Sequence, residues 1–271
     1  MGKHIVGIRN VKSLFEKMIG VKVPCDYGWD DGGIIRIGSK KDIAAYAVGD
    51  FKGKCIIILH GNGETAVSEK DLFDELNKNG ISVISPDYRG YGLTGGEFSE
   101  RGCHEVAHAA YEWLKTEKQI NTTDIIPLGY SLGSGVAVEL AVTEPVGGLI
   151  LQAPYYSGRS LLPYWIKRFG YDRRWRFLYP IGMVLLQCMM WLERSFATDR
   201  RLQKVRCPAL VFHGSDDTII PISHGKNVFD GLASRQKEFV RVEGGNHNNF
   251  QYVMGFENYV EKIVRFCMTI T

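Results

Sequence analysis

The sequence lacks the features that mark a repeat protein, a chain of linked domains or a membrane-spanning protein. It contains no internal repeat, no low-complexity tract and no Pro/Ser-rich linker, so we expect one domain over residues 1–271. Its most apolar stretch, residues 178–192, falls short of the roughly 20 residues that a transmembrane helix needs. The net charge of +3 is too small to predict binding to nucleic acid.

The cysteines show no paired spacing. None of the six belongs to a C-x-x-C motif, and they are scattered from Cys25 to Cys267. The N-terminal residues also lack the apolar core and the small-residue cleavage site of a signal peptide. We therefore expect reduced thiols and a cytoplasmic protein.

What the sequence does contain is an alternation of short apolar runs and amphipathic segments. The runs suit strands that are buried on both faces, and they lie at 55–59, 81–85, 125–129, 148–152 and 209–213. Helix-like segments lie among them at 68–79, 100–118, 133–143 and 223–234. This order predicts an α/β protein with a mainly parallel sheet and helices on both faces. An antiparallel hairpin over 33–39 and 42–49 is expected to precede that sheet.

One helical segment matches the H-E-x-x-H pattern of zinc peptidases through His104 and His108. On a helix, Val106, Ala110 and Trp113 share one side, and the two histidines lie nearly opposite. The apolar side is expected to face the core, so the histidines are expected to face solvent. No third ligand follows at the spacing of a catalytic zinc site. We therefore expect no metal site here.

The stronger motif is GYSLG, which matches G-x-S-x-G between a predicted strand and a predicted helix. A turn this tight strains the backbone of Ser131 and leaves room only for small residues two positions before and after it. Gly129 and Gly133 meet that requirement. The turn would present the Ser131 hydroxyl at a helix N-terminus, where developing negative charge is stabilised. Ser131 is therefore the candidate nucleophile.

A serine nucleophile needs a general base and a carboxylate that orients the base. Asp216 and Asp217 follow the predicted strand at 209–213, at the edge where open α/β sheets carry their chemistry. His247 follows Asp217 by thirty residues, in a glycine-rich loop after a further predicted strand at 238–242. The chain order Ser, Asp, His is that of α/β-hydrolases. Of the two carboxylates, Asp216 is interpreted as a loop-stabilising residue.

The HGNG loop after the third predicted strand is placed to supply an oxyanion donor. The expected donors are the backbone N–H groups of Asn62 and Leu132. The other histidines near these strands receive structural interpretations. His60 and His213 are expected to hydrogen-bond to nearby backbone, and His224 is expected to lie on the surface.

Together, these residues resemble the α/β-hydrolase superfamily over residues 33–270. The shared motifs are HGNG at 60–63, DYRGYG at 87–92 with GGE at 95–97, GYSLGSG at 129–135, CPALVFHG at 207–214 and GNHN at 245–248. The chain looks most similar to the single-domain serine hydrolases that include α/β-hydrolase-domain depalmitoylases and lysophospholipases, with the related bacterial esterases. The resemblance implies the α/β-hydrolase fold, selects Asp217 as the triad acid and assigns His247 as the base. One departure is the pair Asn248 and Asn249, where an acidic residue is common.

Residues 155–199 form a longer connection than the fold requires, and the resemblance implies a helical lid over the nucleophile. Eleven Lys or Arg and only three Asp or Glu lie between Arg159 and Arg206, and the segment is also aromatic. Helices packed on the domain would need similar residues, so both interpretations stay open. The composition suits an acyl or aryl substrate with an anionic end, or an anionic membrane surface. The N-terminal extension, residues 1–32, carries a basic amphipathic pattern over 3–22 that fits a surface helix or membrane contact.

The sequence therefore predicts a serine hydrolase that cleaves carboxylic esters or thioesters through an acyl-enzyme, with no metal and no organic cofactor. The expected partner is a small-molecule or acyl substrate rather than nucleic acid, with peripheral membrane contact as an open alternative. Two other functions stay open, namely a small peptidase or amidase on the same fold and a non-catalytic binding protein. The intact set of Ser131, Asp217 and His247 favours an enzyme, since such binding proteins often lose one member. The acyl group and the oligomeric state are not specified by these patterns.

Overall fold

The computed structural model describes residues 33–169 and 197–270, apart from the side chains of Leu162 and of residues 165–169. The strands are β1 (Ile34–Ile37), β2 (Ile43–Val48), β3 (Cys55–Leu59), β4 (Ser82–Pro86), β5 (Ile125–Tyr130), β6 (Leu149–Gln152), β7 (Ala209–Gly214) and β8 (Lys237–Val242). The α-helices are α1 (Lys70–Lys78), α2 (Glu100–Glu112), α3 (Leu132–Thr143), α4 (Gly158–Phe169), α5 (Ile222–Gly231), α6 (Phe250–Val253) and α7 (Phe256–Thr269). A π-helical turn, Trp113–Glu117, extends α2.

The strand pairing confirms the predicted mainly parallel sheet and its antiparallel entry hairpin. The eight strands form one sheet in the order β1-β2-β4-β3-β5-β6-β7-β8. β1 pairs with β2 in antiparallel fashion, with Ile35 opposite Ala45, and β2 pairs with β4 in the same sense. Every pairing from β4 through β3, β5, β6 and β7 to β8 is parallel.

Apolar side chains that alternate along the strands fill a core on each face of the sheet. On β3, Ile57 and Leu59 belong to one core, whereas Ile56 and Ile58 belong to the other. All five residues of this strand are buried, which explains its continuous apolar sequence. Side chains of α2, α3, α4 and α5 join the first core, and those of α1, α6 and α7 join the second. Helices therefore cover both faces, as the sequence predicts.

The helix that carries the H-E-x-x-H pattern packs differently from the prediction. Its apolar side is buried as expected, but the side chains of His104 and His108 are only 16% and 31% exposed. Both face α3, and His108 Nε2 lies 3.5 Å from Glu139 Oε2. The expectation of a solvent-facing pair is wrong because α3 packs beside α2 and covers a second side of it. Within the two described ranges, no three His, Cys, Asp or Glu side chains are grouped so as to hold a metal ion.

Two predicted segments fall largely outside the described residues, namely the N-terminal extension 1–32 and residues 170–196 of the insertion. The described ends of the insertion meet, since the Asp199 N–H donates to the Tyr156 carbonyl over 2.8 Å. The lid, the membrane contacts, the cytoplasmic location and the single domain over the full chain therefore stay predictions. In the part of the chain that the structure describes, no helix has the length and apolarity to span a bilayer.

The carboxyl ends of the parallel strands meet at one edge of the sheet. β3 leads into the HGNG loop and β5 leads directly into Ser131. β7 leads into the loop of Asp217, and β8 leads into the loop of His247. Because these strands share one sheet and one direction, all the segments proposed for the site lie along the same edge.

Candidate active site

Ser131 occupies a strained turn between β5 and α3. Its φ of 50° and ψ of −112° are unfavourable for a residue with a side chain. A β-carbon at Gly133 would overlap the carbonyl oxygen of Leu59, and one at Gly129 would overlap the carbonyl oxygen of Gly133. Close approach of the backbone therefore requires glycine at both positions, as the G-x-S-x-G pattern predicts.

Hydrogen bonds on both sides hold this turn in place. The Ser131 N–H donates to the Gln152 carbonyl over 2.9 Å, which ties the turn to the end of β6. The Ser134 hydroxyl donates to the Ser131 carbonyl over 2.6 Å, one turn into α3. The Ser131 side chain therefore stands at the N-terminus of a 12-residue helix, where the helix dipole favours negative charge.

The structure brings Ser131, His247 and Asp217 together from three different loops. His247 Nε2 lies 3.0 Å from Ser131 Oγ, and His247 Nδ1 lies 2.7 Å from Asp217 Oδ2. An imidazole that donates from Nδ1 to the carboxylate keeps Nε2 free to accept the hydroxyl proton of the serine. These distances are the ones that a nucleophile, a base and an orienting acid would require.

Asp217 is held in the ionised form that this arrangement requires. Its Oδ1 accepts the backbone N–H groups of Ile219 and Ile220, each over 2.8 Å. Burial by itself would raise the pKa of Asp217, but hydrogen bonds from His213, His247 and the Ile220 backbone lower it well below its ordinary value. The carboxylate therefore stays charged and accepts a hydrogen bond from the Nδ1–H group of His247.

The other polar residues at the carboxyl ends of β3 and β7 have the structural roles that the sequence predicts. His60 is buried, with Nδ1 2.9 Å from the Gly61 carbonyl. His213 is also buried, and its Nε2 lies 2.8 Å from the Ile220 carbonyl. Asp216 is exposed and accepts the hydroxyl of Ser215 over 2.8 Å. None of these side chains takes the place of Asp217 or His247.

His224 contradicts the expectation of a surface residue. It is only 7% exposed, and its Nδ1 accepts the Tyr156 N–H over 3.2 Å. Burial, followed by the nearby His213, lowers the pKa of His224 to about 4. The sequence of α5 could not predict this contact, because Tyr156 lies in a distant part of the chain.

The two expected oxyanion donors lie at the start of the HGNG loop and of α3. Among the described residues, neither the Asn62 N–H nor the Leu132 N–H has a hydrogen-bond acceptor, so both are available to a substrate oxygen. The Asn62 side chain is held by Tyr91, whose hydroxyl donates to Asn62 Oδ1 over 2.6 Å. The Asn62 side chain is thus fixed, whereas the Asn62 N–H has no acceptor among the described residues.

Sequence reasoning missed Tyr130, the residue directly before the serine. Its hydroxyl lies 3.1 Å from the His247 carbonyl and 2.9 Å from Asn248 Oδ1. Asn249 Oδ1 accepts the Asn246 N–H over 2.7 Å, so both asparagines stabilise the histidine loop as neutral groups. The sequence did contain one indication of this role, namely the position of Tyr130 at the end of β5, immediately before Ser131. Side chains alternate in direction along a strand, so the side chain of Tyr130 points away from that of Ser131.

Strand order, elbow and loop positions together define the α/β-hydrolase fold. A family model described as "Serine aminopeptidase, S33" matches residues 52–176 and 176–251. The chain therefore belongs to this hydrolase family, within the α/β-hydrolase superfamily.

Curated relatives come from animals as well as microbes. A zebrafish (Danio rerio) protein named "Lysophosphatidylserine lipase ABHD12" is 32% identical over 189 residues, covering 67% of this chain and 48% of the relative. The mouse (Mus musculus) "Alpha/beta hydrolase domain-containing protein 17C" is 28% identical over 216 residues, covering 78% of this chain and 58% of the relative. The chain thus spans about half the length of these relatives.

Solved structures agree with the fold. The esterase Pf2001 of Pyrococcus furiosus superposes with a TM-score of 0.73 at 17% identity, over 93% of this chain and 97% of the esterase. The monoacylglycerol lipase of Paleococcus ferrophilus superposes with a TM-score of 0.61 at 18% identity, over 84% of this chain and 98% of the lipase. At such low identity, these likenesses concern the fold alone.

Proposed function

We propose that the chain is a serine hydrolase that cleaves carboxylic esters or thioesters through an acyl-enzyme. The observation that carries the proposal is the hydrogen-bonded series from Ser131 Oγ through His247 to Asp217, with separations of 3.0 and 2.7 Å. The names of the compared proteins, which include lipases and an esterase, support an acyl substrate.

In the first half-reaction, Ser131 Oγ attacks the carbonyl carbon of the substrate while His247 Nε2 takes the hydroxyl proton. The carbonyl π electrons move to oxygen, and the Asn62 and Leu132 N–H groups stabilise that oxyanion. Each such donor typically contributes about 3 kcal/mol to transition-state stabilisation. Collapse of the tetrahedral intermediate breaks the bond to the alcohol or thiol, which leaves with the proton from His247.

In the second half-reaction, a water molecule attacks the acyl-Ser131 carbonyl and His247 takes its proton. Collapse of the second tetrahedral intermediate returns the proton to Ser131 Oγ and releases the carboxylic acid. Asp217 stays ionised throughout and stabilises the imidazolium that forms in each step. This sequence of steps balances without a metal or an organic cofactor.

A fluorophosphonate probe tests the proposed nucleophile directly. The wild-type protein should gain the probe mass on a single peptide that contains Ser131, and Ser131→Ala should lose both labelling and at least 99.9% of hydrolysis, or about 1,000-fold. A wild-type protein that neither reacts with the probe nor turns over esters would instead support a non-catalytic binding protein. Retained turnover in Ser131→Ala would assign the activity to another residue.

The family description gives a specific reason to test amides as well. The same triad can cleave a peptide bond, because His247 can protonate a leaving amine as readily as it protonates an alkoxide. Parallel assays with p-nitrophenyl esters, acyl thioesters and aminoacyl anilides separate the two possibilities. A kcat/KM for anilides that exceeds that for esters would replace the esterase proposal with an aminopeptidase.

A further inference from the structure

The loop that follows β3 carries a carboxylate to which the sequence patterns assign no role. Glu64 Oε2 accepts the Gly61 N–H over 2.6 Å. Gly61 immediately precedes Asn62, whose N–H is a proposed oxyanion donor. Glu64 therefore closes the HGNG loop on itself, at a position one residue from the group that must be aimed at the substrate oxygen.

The closed loop also packs against the residue before the nucleophile. A β-carbon placed on Gly61 would lie 2.8 Å from Tyr130 Cδ1 and 3.1 Å from Glu64 Oε2. The Gly61 backbone thus packs closely against both the aromatic ring and the carboxylate. Since the Tyr130 hydroxyl contacts the His247 carbonyl, this one packing unit joins the oxyanion loop, the elbow strand and the histidine loop.

The carboxylate of Glu64 is partly buried. Titratable groups from several elements face it: His247 on the histidine loop, Glu69 before α1, Tyr130 on β5, and Tyr88 in the loop after β4. Burial raises the pKa of Glu64, whereas the Gly61 hydrogen bond and the charge of His247 lower it. The Gly61 hydrogen bond therefore favours the ionised carboxylate, which is the stronger acceptor.

We propose that Glu64 is a positioning residue of this hydrolase, which fixes the oxyanion loop through its hydrogen bond with Gly61. The inference rests on the proposed function, because it assigns Glu64 a task within that reaction. Glu64 contacts backbone rather than substrate in this scheme, so its removal should affect kcat more than KM.

Two substitutions test the hydrogen bond to Gly61. Glu64→Ala removes the acceptor, and we expect kcat to fall by about 10- to 100-fold while KM changes by less than about 3-fold. Glu64→Gln keeps an oxygen acceptor for Gly61, and we expect kcat at pH 8 to stay within about 5-fold of wild type. Recovery of kcat in the Gln variant would show that the acceptor for the Gly61 N–H, rather than the negative charge, is what the site requires.

Glu69→Gln is the matched control, since Glu69 is a neighbouring, partly buried acid that makes no contact with Gly61. It should leave kcat within about 2-fold of wild type. The inference is overturned if Glu64→Ala retains full kcat, or if Glu64→Ala and Glu64→Gln lower kcat equally. The second result would mean that Glu64 only supports the local fold.

Labelling of the wild-type protein distinguishes this failure from failure of the proposed function. If wild-type Ser131 reacts with the fluorophosphonate and Glu64→Ala reacts at the same rate, only the role of Glu64 is rejected. If the wild-type protein neither reacts nor hydrolyses esters, both the proposed function and the role of Glu64 are rejected.

Discussion

Tyr130 and Asn248 are 118 positions apart in the chain, yet the Tyr130 hydroxyl donates to Asn248 Oδ1 over 2.9 Å. Tyr130 directly precedes the proposed nucleophile, and Asn248 directly follows the proposed base. The hydrogen bond therefore sets the histidine loop against the strand that carries Ser131. The distance between Ser131 and His247 depends on this contact as well as on the sheet.

Removal of the Tyr130 hydroxyl should lower catalysis without changing the substrate site. Tyr130→Phe keeps the ring that packs on Gly61, and we expect kcat to fall by about 5- to 20-fold with little change in KM. Asn248→Ala should have a similar effect. In the double variant, the increase in activation free energy should be smaller than the sum of the increases in the two single variants. Strict additivity in steady-state kinetics would show that the two side chains act independently.

Gly133 should tolerate no side chain. A β-carbon there overlaps the Leu59 carbonyl oxygen, so Gly133→Ala should lower the free energy of unfolding by about 3 kcal/mol or more. Gly53→Ala is the control, because nothing lies within 4 Å of a β-carbon at that position. Urea unfolding should show a change of less than about 1 kcal/mol for the control. Equal stability of the two variants would contradict the close approach of α3 to β3.

The two adjacent carboxylates Asp216 and Asp217 should differ sharply in importance. Asp217→Asn removes the charge that orients His247 and stabilises its imidazolium, so kcat should fall by about 1,000- to 10,000-fold. Asp216→Asn should keep kcat within about 2-fold, because the exposed Asp216 carboxylate accepts from Ser215 of its own loop and its backbone bond to Gly245 is unaffected by the substitution. Comparable losses of kcat in both variants, measured at pH 8 with one ester, would contradict the assignment of Asp217 as the acid that orients His247.

Glu69 should make stability depend on pH. Burial, followed by the charges of Glu64 and Asp71, raises the pKa of Glu69 from 4.5 to about 7. The folded state therefore holds this proton more tightly than the unfolded state, and the resulting stability is lost as pH rises from about 4.5 through 7. Glu69→Gln should thus raise the free energy of unfolding by about 1 to 3 kcal/mol at pH 8 and by little at pH 4.5.

Urea unfolding at the two pH values measures this difference. Glu257→Gln is the control, since Glu257 is an exposed acid in the first turn of α7. Its free energy of unfolding should change by less than about 0.5 kcal/mol at either pH. A pH-independent effect of Glu69→Gln would show that Glu69 is ionised in the folded protein at neutral pH.

Most of the fold could be predicted because its signals are local. A strand buried on both faces must be apolar throughout, as β3 is, and the turn at Ser131 must place glycine at 129 and 133. The proposed site residues could be predicted for the same reason. Each lies immediately after a recognisable strand, and parallel strands bring their carboxyl ends together.

Most failures of prediction concern contacts between distant segments. His104 and His108 were expected to face water because one apolar stripe on α2 was taken to be its only covered side, whereas α3 covers another. His224 is buried by the backbone of Tyr156, 68 positions away. The hydrogen bond of Glu64 lies within its own loop, but its proposed role depends on the residues packed around that loop, and a charged residue in a loop usually has a solvated side chain.

The position of β8 in the sheet has a consequence for how the protein loses activity. Among the described strands, β8 pairs only with β7, whereas β5 is held between β3 and β6. Ser131 is thus attached to the interior of the sheet, and His247 is attached to its margin. Local unfolding of β8 would displace the His247 imidazole while the turn at Ser131 stayed folded. Activity should therefore be lost at a lower denaturant concentration than the helices and strands as a whole.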